Sequence, residues 1–401
     1  MTQPTLSKRF QGYLQRLLLS LTIPAYRWLW FNSLFGTMRL ITVFVARGWL
    51  VLTLTDSPFW VGAAPAVRGL TQIALGLFAG VLLDRINRRT ALLVTEIGTS
   101  MVAFAIGFLV FTGQIELWHI LVASVIEGTF MSVRWPAINT MIVQAVGSER
   151  ILNASAAQML GFNLGNVVAS GIAGVIIAAY GVETGYFFAG ACGLVASVCI
   201  LFIRGDFRST AVSDPVFQAI GEGLRYIQSN RHLLYLIVLA LLMSLLGWSN
   251  LSMLPVIARD VLDVDASGLG FLTAAGAVGS LISTAIIAGL GNHNNKTRLV
   301  LFSGIGTAIG IVLFALSPWY RLSLILMGLM QAALMSFELG FESTALPFDL
   351  NVEAEILGAR VRYHEGFDGH PVYPTIFVKP VTTVDDIEIP NALAEKGRIP
   401  V

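Results

Sequence analysis

GVLLDRINRRT, residues 80–90, sets Asp84, Arg85, Arg88 and Arg89 between two long apolar stretches. So dense a charge cluster stands out in a chain that is 55% hydrophobic and only 12% charged. Ordinary soluble domains carry roughly 25% charged residues. A chain with so few cannot cover a water-facing surface, and a mean hydropathy of +0.75 agrees. The chain therefore reads as an integral membrane protein, and residues 84–89 as a loop joining two bilayer crossings.

A hydrocarbon core takes about 20 apolar residues as a helix. On that scale spans are expected at 30–54, 59–83, 90–112, 117–143, 153–180, 184–203, 233–257, 269–290, 299–316 and 322–341. The connections then sort by charge. Fourteen basic residues, Lys8, Arg9, Arg16, Arg27, Arg85, Arg88, Arg89, Arg150, Arg204, Arg208, Arg225, Arg231, Lys296 and Arg298, fall on one side, whereas the other side collects only Arg259 and Arg321. Basic loops stay in the cytoplasm, so the N-terminus and the 84–89 loop are expected there. The organisation that follows is a cytoplasmic arm at 1–28, a six-helix half at 29–203, a linker at 204–232, a shorter second half at 233–341 and a polar tail at 342–401. Within the linker Phe217, Ile220, Leu224 and Ile227 share one helix face, as expected of a helix lying on the membrane surface. Small residues four apart, Gly76 with Gly80, Gly161 with Gly165, Ser170 with Gly174 and Gly306 with Gly310, are expected to let helices approach closely.

Charged residues inside the spans are the next signal. Arg39, Arg47, Arg68, Glu96, Glu127 and Arg134 fall in or near apolar stretches. Facing lipid costs such a group several kcal/mol, so each should face the bundle interior or a wet cavity. Glu127 and Arg134 are seven apart and share a helix face. Arg47 and Arg68 read as members of a buried ion pair or as arginines reaching out to the interface.

Other chemistries find little support. A net charge of +1 gives no reason to expect nucleic acid. His119, His232 and His293 stand without partners at metal-ligand spacing, so no metal or other cofactor is expected. The sequence contains no GxxxxGK[ST] loop, which argues against an ATP-driven pump. Cys192 and Cys199 lie seven apart, roughly 10 Å along a helix, too far to bridge. No enzyme activity is expected of the membrane part.

Gly80, then Asp84-Arg85, then Arg88 and Arg89, on the cytoplasmic side between spans two and three, resembles the signature loop of the major facilitator superfamily. Asn87 stands where that family has a second Gly and suits the left-handed backbone of such a turn. WLVLTLTDSPFWVG, VRGLTQIALGLFAG and GLGFLTAAGAVGSLISTAIIAG are similar to the bacterial drug- and siderophore-exporter branch. The resemblance implies an all-α, major-facilitator-type helical bundle that works as a monomer in the bacterial inner membrane. It implies proton-coupled efflux of a small amphipathic substrate by alternating access. It also implies a central cavity lined by spans one, four, seven and ten, which makes Arg39, Glu127 and Arg134 candidates for substrate or proton coupling. Gly80, Asp84, Arg85, Arg88 and Arg89 become a conformational latch, in which the carboxylate changes guanidinium partners as the halves rock. The bland alternative is that these arginines anchor the loop to anionic lipid.

After Phe341 the apolar pattern stops. The superfamily has twelve spans, and spans eleven and twelve are not found in the tail. VEAEILGARVRYHE and PTIFVKP read as short strands, and the tail as the product of a frameshift or gene fusion. YPTIFVKP faintly resembles the start of a fumarylacetoacetate-hydrolase-type domain, while His364, Glu365, Asp368 and His370 read as a polar loop rather than a metal cluster. Three functions stay open: an exporter, a truncated, non-transporting membrane protein that binds a ligand or partner, and an enzyme carried by the tail.

Overall fold

The structure, a computed structural model, describes residues 20–147, 150–205, 207, 234, 238, 241–242, 249–290 and 296–356. Every regular element among them is helical: α1 Pro24–Thr55, α2 Pro58–Arg85, α3 Arg88–Phe111, α4 Leu117–Val146, α5 Ile151–Tyr180 and α6 Val182–Leu201. There follow α7, described over 249–256 and closed by a π-helical turn at Ile257–Val261, then α8 Ala266–Leu290, α9 Lys296–Ala315 and α10 Tyr320–Ile356. The linker helix expected around 217–227 and most of span seven lie outside the described residues.

Local chemistry sets the helix ends. Pro24 and Pro58 occupy first-turn positions, where the missing N–H costs nothing. Asp56, at φ 49°, turns the chain out of α1. Gly147 and Gly181, at φ 74° and 93°, end α4 and α5. Asn87 corrects its expected role. Its backbone is extended, at φ −68° and ψ 121°, and its side chain accepts from the Arg89 N–H at 2.9 Å as the N-cap of α3. A short amide satisfies an orphan helix donor there, so no left-handed turn is needed.

Seven helical segments are each long and apolar enough to cross a membrane. α2 meets the same test when its two parts, bent by 57° around residue 77, are taken together. α4 spans 30 residues and carries Glu127 and Arg134 within its apolar run. The outer faces are apolar: Ile73 is 74% exposed and Phe302 69%. Arg39, in contrast, is 2% exposed and Glu96 0%. This inside-out polarity is what a hydrocarbon solvent demands.

The packing of the first half is symmetric. α1 lies against α5 and α6, as α4 lies against α2 and α3, and α3 packs on α6. That is the contact pattern of two three-helix units related by an approximate two-fold axis. α1 and α4 take equivalent central places.

Three small-residue pairs make close crossings. A Cβ on Gly161 would sit 2.7 Å from the Trp30 ring of α1, and one on Gly165 3.0 Å from the Leu34 carbonyl. Gly306 and Gly310 of α9 face Ala333 and Met330 of α10. Ser170 and Gly174 of α5 cross α8, where a Cβ on Gly174 would stand 2.6 Å from the Cα of Gly270. Gly76 and Gly80 differ from expectation. Among the described residues nothing lies within 4 Å of a side chain there, and the pair flanks the α2 bend instead.

The chain forms two compact units, Met1–Phe341 and Glu342–Val401. α10 continues to Ile356, so the start of VEAEILGARVRYHE is helical where strand was expected. Its Glu353, Ala354 and Glu355 are strong helix formers, and three alternating apolar positions are too few to override them. The rest of the tail, with PTIFVKP, His364, Glu365, Asp368 and His370, lies outside the described residues.

Candidate functional site

Inside the first half, two arginines converge on one carboxylate. Glu96 of α3 accepts from the Arg134 Nε of α4 at 2.7 Å through Oε1, and from Arg39 Nη2 of α1 at 3.4 Å through Oε2. All three side chains are essentially sealed from solvent. Glycine makes the room. A side chain at Gly36 would run into the Arg134 guanidinium, and one at Gly193 would come within 2.6 Å of Arg39 Cδ.

Farther toward the Asp56 end of α1, Arg47 pairs with Glu127 of α4. Both are buried, at 6% and 5% exposure. The expected common face of Glu127 and Arg134 therefore exists, but the two residues serve different partners. Arg68 of α2 lies beside Arg47 at the wall of a cavity of about 20 Å³ between α1, α2 and α7. Its Nε is buried without a hydrogen-bond partner, and no ion pair holds Arg68 among the described residues. Arg39, Arg47, Arg68 and Arg134 face only Glu96 and Glu127, which leaves an excess of positive charge inside the first half among the described residues. The candidates Arg39, Glu127 and Arg134 are thus all buried in the bundle, while Glu96, Arg47 and Arg68 join them. Each of those three is legible only as a charge within an apolar run, since the partners of Glu96 and Arg47 come from other helices and Arg68 has no ion pair among the described residues.

The loop after α2 is a second cluster. Asp84 Oδ1 lies 3.8 Å from Arg88 Nη2, a long pair within one turn. Arg89 donates to the Ile200 carbonyl from Nε at 3.2 Å and to the Leu201 carbonyl from Nη2 at 2.9 Å. It thereby ties the start of α3 to the carbonyl-rich C-terminus of α6, where a cation is favoured. Arg85 ends α2 and is exposed. Gly80, five residues before it, leaves open space beside the helix among the described residues.

At the opposite end the two halves meet. Arg259, from the π-helical turn after α7, donates from Nη2 to Asp56 Oδ1 and from Nε to Asp260 Oδ1, both at 2.6 Å. A side chain on Gly48 would meet Pro255 at 2.6 Å, and one on Gly62 would meet Met253 at 2.8 Å. The α5–α8 glycine crossing lies near the same end.

A helical bundle of symmetric three-helix units with charges at its centre is a transporter's architecture, and the sequence match agrees. Residues 18–346 match the family described as transmembrane secretion effector. The chain belongs to this family. It is a multi-pass membrane transporter of the major facilitator superfamily, in its exporter branch. Among family relatives, the enterobactin exporter EntS of Shigella flexneri is 27% identical over 321 residues, covering 80% of this chain and 76% of that one. EntS of Escherichia coli O81 (strain ED1a) is 25% identical over the same coverage. Among solved structures, a mutant of the nucleoside transporter NupG superposes with a TM-score of 0.64 at 11% identity, over 80% of this chain and 83% of NupG. A bacterial homologue of the human lysosomal transporter Spinster, in an inward-facing and unoccupied conformation, gives 0.58 at 17% identity, over 86% of this chain and 76% of the homologue. At these identities the likeness to the solved structures is one of fold. The match to the family ends at 346, before most of the tail.

Proposed function

We propose that the chain is a proton-coupled, secondary active exporter of small amphipathic molecules, working by alternating access in a bacterial inner membrane with its N-terminus in the cytoplasm. The observation that carries this reading is the buried Arg–Glu network across α1, α3 and α4. A carboxylate held by arginine within a low-dielectric bundle has two stable states, ionised and paired or protonated and free. Glu127 is the group suited to exchange, because Arg47 beside it borders the cavity next to α7. Protonating Glu127 releases Arg47, and cargo entry favours that release. Glu96, clamped by two guanidiniums, holds the central helices in place. The joined Asp56 end is then the periplasmic gate in its closed state, and Asp84 is the cytoplasmic latch, paired with Arg88 here and exchanging partners when the halves rock. The EntS relatives carry the name of an enterobactin exporter, which supports an exported small-molecule cargo of the drug- or siderophore-like kind.

Purified full chain in proteoliposomes, given radiolabelled enterobactin and an imposed pH gradient, tests the proposal. Gradient-dependent enterobactin flux is expected, with Glu127→Gln losing the dependence on the gradient. Folded protein that moves neither enterobactin nor protons would overturn it.

A further inference from the structure

Among the described residues, Arg68 is a guanidinium with no carboxylate in ion-pair contact. α2 begins at Pro58, so Arg68 lies ten residues in, roughly 15 Å along the helix. That is about half the roughly 30 Å hydrocarbon core, beyond the reach of a side chain seeking water at the surface. Its Nε is buried and unsatisfied, and among the described residues no carboxylate pairs with it. Glu127, whose charge acts on Arg68, is already engaged by Arg47. The described part of α7 on the opposite side gives no help, because residues 249–258 contain no Asp or Glu. A buried charge left this way is costly. Arg68 nevertheless borders a cavity, which Val43, Val61, Pro65 and Pro255 close with apolar surface.

We propose that this cleft between α1, α2 and α7 is a subsite for the anionic group of the cargo, with Arg68 as the donor and Arg47 as its neighbouring cation. The cavity, at about 20 Å³, admits a small polar group and not a whole molecule. A planar fork of N–H donors matches a carboxylate or an ionised phenol through two parallel hydrogen bonds. The cargo class is therefore an amphipathic organic anion, whose head meets Arg68 and whose apolar body lies along the α1–α7 cleft. Since the cleft lies between the two halves, occupation at Arg68 is felt by both. The cargo's use of the subsite rests on the exporter reading, whereas its binding chemistry does not.

The test is binding of 2-naphthoate against its neutral isostere 2-naphthamide, by calorimetry, to purified full chain in phosphatidylcholine nanodiscs. The carboxylate is expected to bind at least about tenfold more tightly, as a charge-assisted pair warrants. Arg68→Gln should remove that preference, and Arg68→Lys, which keeps the charge without the fork, should retain part of it. Equal affinities in the unmutated protein, undetectable naphthoate binding, or a full preference in Arg68→Gln would each overturn the proposal. In phosphatidylglycerol nanodiscs a cargo subsite keeps its preference. Loss of the preference there would assign Arg68 to a lipid headgroup and overturn it too. Failure of enterobactin flux with the naphthoate preference intact would sink the exporter reading alone. Flux without the preference would sink the anion subsite alone.

Discussion

Glu96 shows how far single residues can be read. That an intramembrane carboxylate turns inward follows from the cost of facing lipid. Which residues it turns to does not, because Arg39 and Arg134 arrive from two other helices. Glu127 and Arg134 illustrate the same limit: a seven-residue spacing gives a shared face but not a partner. Glu96→Gln strands two buried guanidiniums, so it should cost about 3–5 kcal/mol, measured by denaturant unfolding in detergent. Gly36→Ala should be destabilising by a similar route, since its methyl group would displace the Arg134 guanidinium. Asp265, outside the membrane, makes a pH prediction. Its carboxylate accepts from the Ser267 hydroxyl at 2.5 Å and from the Gly268 and Ser267 N–H groups at 3.1 and 3.0 Å, capping α8. These bonds, that of Ser267 first, hold its pKa below the ordinary carboxylate value. A depressed folded pKa adds stability that is complete above the unfolded value, about 3.9, and is lost as pH falls through the folded one. Asp265→Ala should therefore cost about 1 kcal/mol at neutral pH. In thermal melts that difference should shrink toward zero as the pH drops below about 4.

Elements were more legible than pairings. Apolar length alone places α1 to α6 and α8 to α10, because a bilayer fixes how long a helix must be. Two readings failed where a local pattern had more than one structural use. Gly76 and Gly80 have the spacing of a crossing but flank a bend, and Asn87 has the composition of a turn but serves as a cap. Ser170 and Gly174 do cross another helix, although nothing in α5 announces that Gly270 is opposite. Backbone meets backbone there, so Gly174→Val has no rotamer that fits. Spin labels at positions 57 and 263 should report a wider distance distribution in this variant than in the unmutated protein. An unchanged distribution would mean that the α5–α8 crossing does not hold the Asp56 end together.

At the scale of the whole molecule, the two charge clusters at opposite ends make separable predictions. If Asp84 is a latch, Asp84→Asn should leave enterobactin binding intact and lower its flux at least tenfold in proteoliposomes. Simple anchoring of Arg85, Arg88 and Arg89 to anionic lipid predicts unchanged flux instead. The bond between Asp56 and Arg259 differs from the interior pairs because both partners lie in water: the Asp56 side chain is 83% exposed and that of Arg259 31%. Exposed ion pairs contribute little and weaken with salt. The screening length falls from about 8 Å at physiological ionic strength to about 3 Å at 1 M. If the Asp56 end is the periplasmic gate proposed above, its closure responds to salinity: brine should shift the resting population toward the form open to the surroundings, and a dilute medium should hold the door more firmly shut.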